Sequence, residues 1–336
     1  MKTHPLSQLF ACNDIACSGI LDDKHRRTGY VVKSFLIAPL AALSLLCQTP
    51  QARADTVYVS TANVNTILEI NSSGTVSTFA TSASGLNYPV GLTFDNNGNL
   101  YVANSGGGGG NSTIEEFTPN GVGTIFASSG LSLPWAMAFD SSANLYVANA
   151  ASGSIEEFSP NGSGTVFATA AAGVDEPSAL AFDSSGNLYV ANAGNYTIEK
   201  FGPGGTGTVF ATSASGIYNP EGLAFYDGYL YVANGGNHTI EKFDALGQGS
   251  IFSSTNLISL PSGLAFDSSG DLYVANHGQS NILKFNPNGV GSVFASGLAN
   301  VAGIAIEEQV PEPSSLLLAA LGMFSLGLFA NRRRGP

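Results

Sequence analysis

The sequence predicts an all-β chain, and three observations predict it: composition, turn chemistry and an internal repeat. Charged residues make up 11% of the 336 residues, aromatic residues 10%, and Gly accounts for 41 positions. An ordinary globular chain carries about 25% charge and about 7% Gly. The Val, Phe, Tyr and Thr between these glycines fit a pleated, half-buried surface better than a helix. The glycines keep no three-residue period, which excludes a collagen-like chain. A 44% hydrophobic content supplies a core and excludes a disordered acidic tail. The repeat decides the architecture. Leu-Tyr-Val-Ala-Asn occurs five times, ending at Asn104, Asn149, Asn192, Asn234 and Asn276, and Val57-Tyr58-Val59-Ser60 is a sixth, degenerate copy. The corresponding tyrosines lie 43, 45, 43, 42 and 42 residues apart, a period of propeller blades rather than of shorter solenoid repeats.

Each copy holds four strand-like runs. In one copy they are 179–183 (ALAFD), 188–192 (LYVAN), 197–201 (TIEKF) and 207–211 (GTVFA). The first two are almost wholly apolar, as expected of strands sandwiched between neighbouring blades. The third carries Glu and Lys, which suits a more exposed outer part of the blade. Between the first two runs stand Asp95-Asn-Asn-Gly-Asn99 and its equivalents at Asp140, Asp183 and Asp267. These read as hairpin turns rather than calcium loops, because each offers too few carboxylates for a calcium site. The first-run motif appears at 91–95, 136–140, 179–183, 222–226, 263–267 and finally 303–307. The chain therefore begins on a second strand near residue 56 and ends on a lone first strand at 303–307, which completes the blade begun by residues 56–80. The prediction is a six-bladed β-propeller of four-stranded blades, closed between its N- and C-terminal strands so that no inner edge stays open.

Charge narrows the partners. Residues 55–310 contain Lys200, Lys242 and Lys284 against 20 acidic residues, a net charge of −17, and no Arg. Phosphate binding is driven by Lys and Arg, so nucleic acid is excluded. The three cysteines, Cys12, Cys17 and Cys47, all precede residue 55, leaving the body without disulfides or thiolate sites. Around them Lys33, an apolar stretch at 35–46 and Ala52-Arg53-Ala54 form a secretory signal pattern with cleavage before Asp55. At the other end, residues 314–330 carry no charge and Arg332, Arg333 and Arg334 follow. Seventeen residues at about 1.5 Å each reach roughly 25 Å, enough for one transmembrane helix. The arginines hold their end in the cytoplasm and place the acidic body outside. The expected divisions are 1–54 as leader, 55–309 as propeller and 310–336 as a C-terminal signal.

Pro311-Glu312-Pro313, one apolar span and the Arg332–Arg334 cluster resemble the PEP-CTERM sorting signal. That resemblance implies an exported substrate of an exosortase-type membrane transpeptidase, anchored in the inner membrane before it reaches the cell surface. It also implies a bacterium that makes exopolysaccharide. The repeat, with Pro-x-Gly-Leu-Ala-Phe-Asp followed by Gly-Asn-Leu-Tyr-Val-Ala-Asn and Ile-x-Lys-Phe, resembles the NHL-type propellers, which include binding scaffolds as well as lactonases and lyases.

Candidate ligand-binding residues follow from the propeller layout. Loops entering the first strands place Val90, Trp135, Ser178, Glu221, Ser262 and Ala302 just after a Pro or its equivalent. With Asn104, Asn149, Asn192, Asn234 and Asn276 at the ends of the second strands, they are expected to ring one mouth of the central channel. Amides with Trp135 and Glu221 could hold a sugar or a divalent cation. The resemblance to gluconolactonase-like propellers implies a metal there, for which Glu221 is the carboxylate. Alternatively each Asn satisfies backbone groups as its chain turns, and repetition in five blades favours that reading. Outside the leader the histidines are His238 and His277; the resemblance to virginiamycin-inactivating lyases makes His277 the candidate general acid or base. The sequence is read as an exported, sorted, non-catalytic binding or matrix propeller associated with exopolysaccharide or a surface protein. A propeller lyase or lactonase with a metal at the channel mouth is the alternative.

Overall fold

The computed structural model describes residues 55–108 and 111–307. The leader with Ala52 and Ala54, the apolar span at 314–330, and the signal residues Pro311, Glu312, Pro313, Arg332, Arg333 and Arg334 lie outside the described residues. Among those described, no helix is long and apolar enough to cross a membrane.

Six four-stranded antiparallel sheets account for the described chain. We number the blades by their inner strands: one (Pro89–Phe94), two (Pro134–Phe139), three (Pro177–Phe182), four (Pro220–Tyr226), five (Pro261–Phe266) and six (Val301–Glu307). Blade six draws its inner strand from the end of the chain and its other three, Thr56–Thr61, Thr66–Ile70 and Val76–Ala80, from the beginning. Thr56 pairs with Glu307 and Val59 with Ile304 across that seam. Ser60, which stands where the other blades have Ala, locks the seam: its Oγ accepts from Gly303 N at 2.7 Å and donates to Val90 O of blade one at 2.6 Å. The six-bladed, terminally closed all-β fold is thus as the repeat predicts.

Each blade is a thin wedge, so the core lies between blades. Six hydrophobic clusters occupy the six interfaces. The repeat tyrosine is their common element. Tyr189 meets Phe210 of its own blade and Phe225 of the next edge-to-face, with centroids 4.9 and 4.8 Å apart. Tyr58, Tyr101, Tyr146 and Tyr231 do the same, an arrangement that adds about 1 kcal/mol per pair to simple burial. The hairpin turns are Asx turns: Asp183 Oδ1 accepts from Ser185 N and Asn187 N, both at 2.9 Å, and Ala143 takes the left-handed conformation (φ 63°) where the other copies use Gly.

Two expectations need correction. The inner strands begin two residues earlier than the apolar motif, at the Pro itself or at Val301, because Pro is tolerated as the first residue of a strand. The third strands are also not uniformly exposed. Glu115, Glu156, Glu199 and Glu241 are only 5–8% exposed. Strand alternation turns one charged residue of each pair inward against the loop entering the blade. There a glycine makes room: a Cβ on Gly85 would lie 2.5 Å from Glu115 Oε1, and one on Gly130 would lie 2.8 Å from Glu156 Oε1.

Candidate functional site at the channel mouth

The six inner strands surround a channel of about 860 Å³. Its two ends are chemically distinct, and the end where the inner strands begin is built from three successive positions in each blade.

The first position is the residue before the Pro, or before Val301 in blade six. Tyr88, Leu133, Glu176, Asn219, Leu260 and Asn300 all have φ between 46° and 54°. A side chain in this left-handed region is costly, by roughly 1–3 kcal/mol, and the residue before a proline ordinarily prefers extended backbone. The repeat asparagines hold the conformation in place. In blade three, Asn192 Oδ1 accepts from Asp175 N at 3.0 Å, while its Nδ2 donates to Gly173 O at 2.9 Å and Thr197 Oγ1 at 3.1 Å. Asn104, Asn149, Asn234 and Asn276 latch Asn87, Ser132, Tyr218 and Ser259 in the same way. The carbonyl of the left-handed residue then accepts from the residue after the Asn, as Gly235 N does to Asn219 O at 2.9 Å.

The second position follows the Pro. Strand pairing slips there in every blade, between Pro177 and Ala179, for example, and between Pro220 and Gly222. Val90, Trp135, Ser178, Glu221, Ser262 and Ala302 therefore sit on β-bulges within strands, not in entering loops. A bulge re-aims its side chain and bends its strand. Two of the six are committed to architecture: Ser178 Oγ donates to Pro220 O of the next blade at 2.5 Å, and Ser262 Oγ donates to Ala302 O at 2.7 Å.

Glu221 and Trp135 remain as the chemically distinctive members of that ring. Both line the channel. Glu221 Oε1 accepts from Asn219 Nδ2 at 2.8 Å, and among the described residues no donor reaches Oε2. Burial pushes the Glu221 carboxyl above the ordinary range, against smaller opposing effects of the Asn219 amide and of His277. The third position, just after the second strand, makes room for it. Gly235 stands there in blade four, where a Cβ would lie 3.0 Å from Glu221 Cγ; in blade five the same slot holds His277, which reaches the channel. His277 Nδ1 lies 2.8 Å from Val301 O. A carbonyl only accepts, so Nδ1 carries a proton and neutral His277 keeps Nε2 as an acceptor. His238 has the opposite arrangement, its Nδ1 accepting from Leu260 N at 2.9 Å, and it does not line the channel.

The structure thus brings Trp135, Glu221 and His277 to one channel. The five asparagines, at most 1% exposed, point into their own blades and line none of it. A divalent cation needs three or more protein ligands or a shell of oxygens. Among the described residues no group of three His, Cys, Asp or Glu is placed to hold one, and each asparagine Oδ1, the atom a cation would need, already accepts from a backbone N–H. The residues present do not fit the metal that Glu221 and the asparagines were expected to share. The ring of left-handed residues escaped the sequence reading altogether; its one signal was the recurrent Pro that follows it.

Comparison with known proteins separates fold from address. The PEP-CTERM protein-sorting motif matches residues 309–334. It marks the chain for export, membrane-anchored sorting to the cell surface and processing by an exosortase. No curated protein matches the sequence. Among solved structures, a nidogen/laminin complex is similar over 76% of this chain and 100% of that chain, at 18% identity and a TM-score of 0.66. Virginiamycin B lyase from Staphylococcus aureus is similar over 77% and 89% of the two chains, at 15% identity and a TM-score of 0.58. A streptogramin B lyase covers 76% and 88%, at 13% identity and a TM-score of 0.59. At these identities the likeness is one of fold alone.

Proposed function

We propose that this protein is a non-catalytic binding module of the cell surface, its propeller taking a segment of extracellular polymer, an exopolysaccharide, at the channel mouth. One observation carries the reading. The repeat is nearly uniform, yet at this mouth the residues on the bulges and in the left-handed turns differ from blade to blade, and Trp135 and Glu221 open onto the channel. A site for an asymmetric ligand needs such differences between blades, and Trp135 adds a flat apolar face beside polar groups. Trp135 is the sole tryptophan of the chain, so its fluorescence reports on the mouth directly. Titration with the host's exopolysaccharide should shift its emission, and Trp135→Phe should remove the signal while binding measured by co-sedimentation weakens. An unchanged spectrum at saturating polymer would reject the mouth as the site.

A second reading, a lyase or lactonase, draws on His277, whose Nδ1 is held by Val301 O and whose Nε2 is left as a base beside the Glu221 carboxyl. Turnover of a lactone or cyclic depsipeptide that disappears in His277→Ala would establish it. The C-terminal signal acts in this proposal as a temporary anchor, cut near Pro311 and Pro313. Mass spectrometry of the extracellular protein should find a C-terminus near that motif; intact chains ending at Pro336 in a strain with an active sorting enzyme would reject the cut.

A further inference from the structure

We infer that the group recognised at the mouth is an ammonium, so that the ligand is a glycan bearing free amines, with Glu221 as its counter-charge and Trp135 as the face on which the sugar rests. The inference builds on the mouth as the binding site and names its chemistry.

It stands first on the donors and acceptors around Glu221. The hydroxyls of Ser178 and Ser262 donate to the carbonyls of Pro220 and Ala302. The Asn219 amide donates to Glu221 Oε1, and His277 Nδ1 is turned to Val301 O. What blades three to five leave facing the channel, among the described side chains, is acceptor capacity: Glu221 Oε2 and, in the neutral ring, His277 Nε2. The complement of two acceptors is a group rich in donors, and an ammonium brings three with no acceptor of its own.

Charge points the same way. The three lysines of the body are occupied at the other end of the channel. Lys200 lies 3.6 Å from Asp183, Lys284 lies 3.2 and 3.0 Å from Asp267 and Asp271, and Lys242 sits over the Tyr229 ring, 3.7 Å from its centroid. Among the described residues no Lys or Arg lines the channel. A net charge of −17 over residues 55–310 repels polymers of uronate, sulfate or phosphate and draws cations towards the mouth. Desolvation of Glu221 by its surroundings is a cost that a bound cation offsets. Trp135 and Tyr88, which both line the channel, supply aromatic faces that attract a cation and stack on a sugar ring.

The test uses the full-length chain in detergent and the fluorescence of Trp135. The probes are a glucosamine tetramer with free amines and its fully N-acetylated counterpart, at a pH where the amines are protonated. We expect the free amine form to bind at least tenfold more tightly, and Glu221→Gln to abolish that preference while the far-UV spectrum stays unchanged. Equal affinity for the two tetramers, or a preference that survives in Glu221→Gln, overturns the ammonium assignment and leaves the mouth as a sugar site. If neither tetramer nor the host's exopolysaccharide moves the Trp135 signal, the mouth itself is not the site and both readings fall.

Discussion

Two sets of side chains encircle the same end of the channel and serve opposite ends. The asparagines at 104, 149, 192, 234 and 276 are identical, buried and bonded to the backbone of their own blades. On the adjacent inner strands, the bulged positions at 90, 135, 178, 221, 262 and 302 hold Val, Trp, Ser, Glu, Ser and Ala, and their side chains turn towards the channel or the next blade. The constant set fixes the shape of the mouth. The variable set gives that shape its chemistry. In a chain of near-identical repeats, sameness therefore marks scaffold, and departure from the repeat marks where a ligand can be told apart.

The sharpest way to break this contrast is to remove a member of the constant set. Asn192→Ala should cost about 3 kcal/mol, because loss of the buried Asn192 amide leaves Asp175 N and Gly173 O without their partner, at about 1–3 kcal/mol for each unpaired group. For a body of this size the melting temperature should fall by roughly 6–12 °C. A loss below about 1 kcal/mol in denaturant unfolding would show that the left-handed turn does not depend on its latch.

A smaller effect of opposite sign tests the buried glutamates of the third strands, through Glu156. Glu156 Oε2 is buried without a hydrogen-bond partner, and burial raises the carboxyl above its ordinary 4.5. Blades five and six place Leu283 and Leu68 at this register, so leucine fits. A carboxyl raised in the folded state binds its proton more tightly there than in the unfolded chain. Its contribution to stability is complete below about pH 4.5 and is lost as pH rises through the folded value. Glu156→Leu should stabilise the protein by about 1–2 kcal/mol at pH 8 and by clearly less at pH 4. Equal effects at the two pH values would remove titration from the explanation.

Within the variable set, Ser178→Ala should cost about 1 kcal/mol, the worth of one bond to the next blade. Smallest of all, Glu221→Gln should leave stability within about 0.5 kcal/mol in thermal melts, since its side chain supports no other element. A large loss there would move Glu221 from the site to the scaffold.

The sequence made the blades legible because burial on both faces writes apolar runs at a fixed period, and because 303–307 is a first strand without a blade of its own. The sorting motif was legible for a different reason: Pro311, Glu312, Pro313 and the three arginines are read as a sequence. The direction of the asparagines was not legible. A residue at the end of a strand can face either the channel or its own loop, and only the third dimension decides that Asn192 reaches back to Asp175 and Gly173. The turns at Tyr88, Leu133, Glu176, Asn219 and Leu260 run against the local rule for residues before proline, and a local rule cannot anticipate a latch 16 or 17 residues away in the chain. The third-strand glutamates misled in the same manner, since their burial depends on a glycine in another strand connection.

The seam carries one more consequence. Thr56 and Glu307 are paired at the end of the channel away from Glu221, so the chain enters and leaves the propeller side by side on the floor of the bowl. Three residues separate Glu307 from Pro311 in the sequence, and three residues span at most about 10 Å. If the C-terminal signal anchors the chain as proposed, a propeller tethered so closely would stand with its floor to the bilayer and its rim to the surroundings, like a dish on a short stalk. The proposed cut at the proline motif would fall beyond the last paired residue, Glu307, and would free the dish with its rim whole.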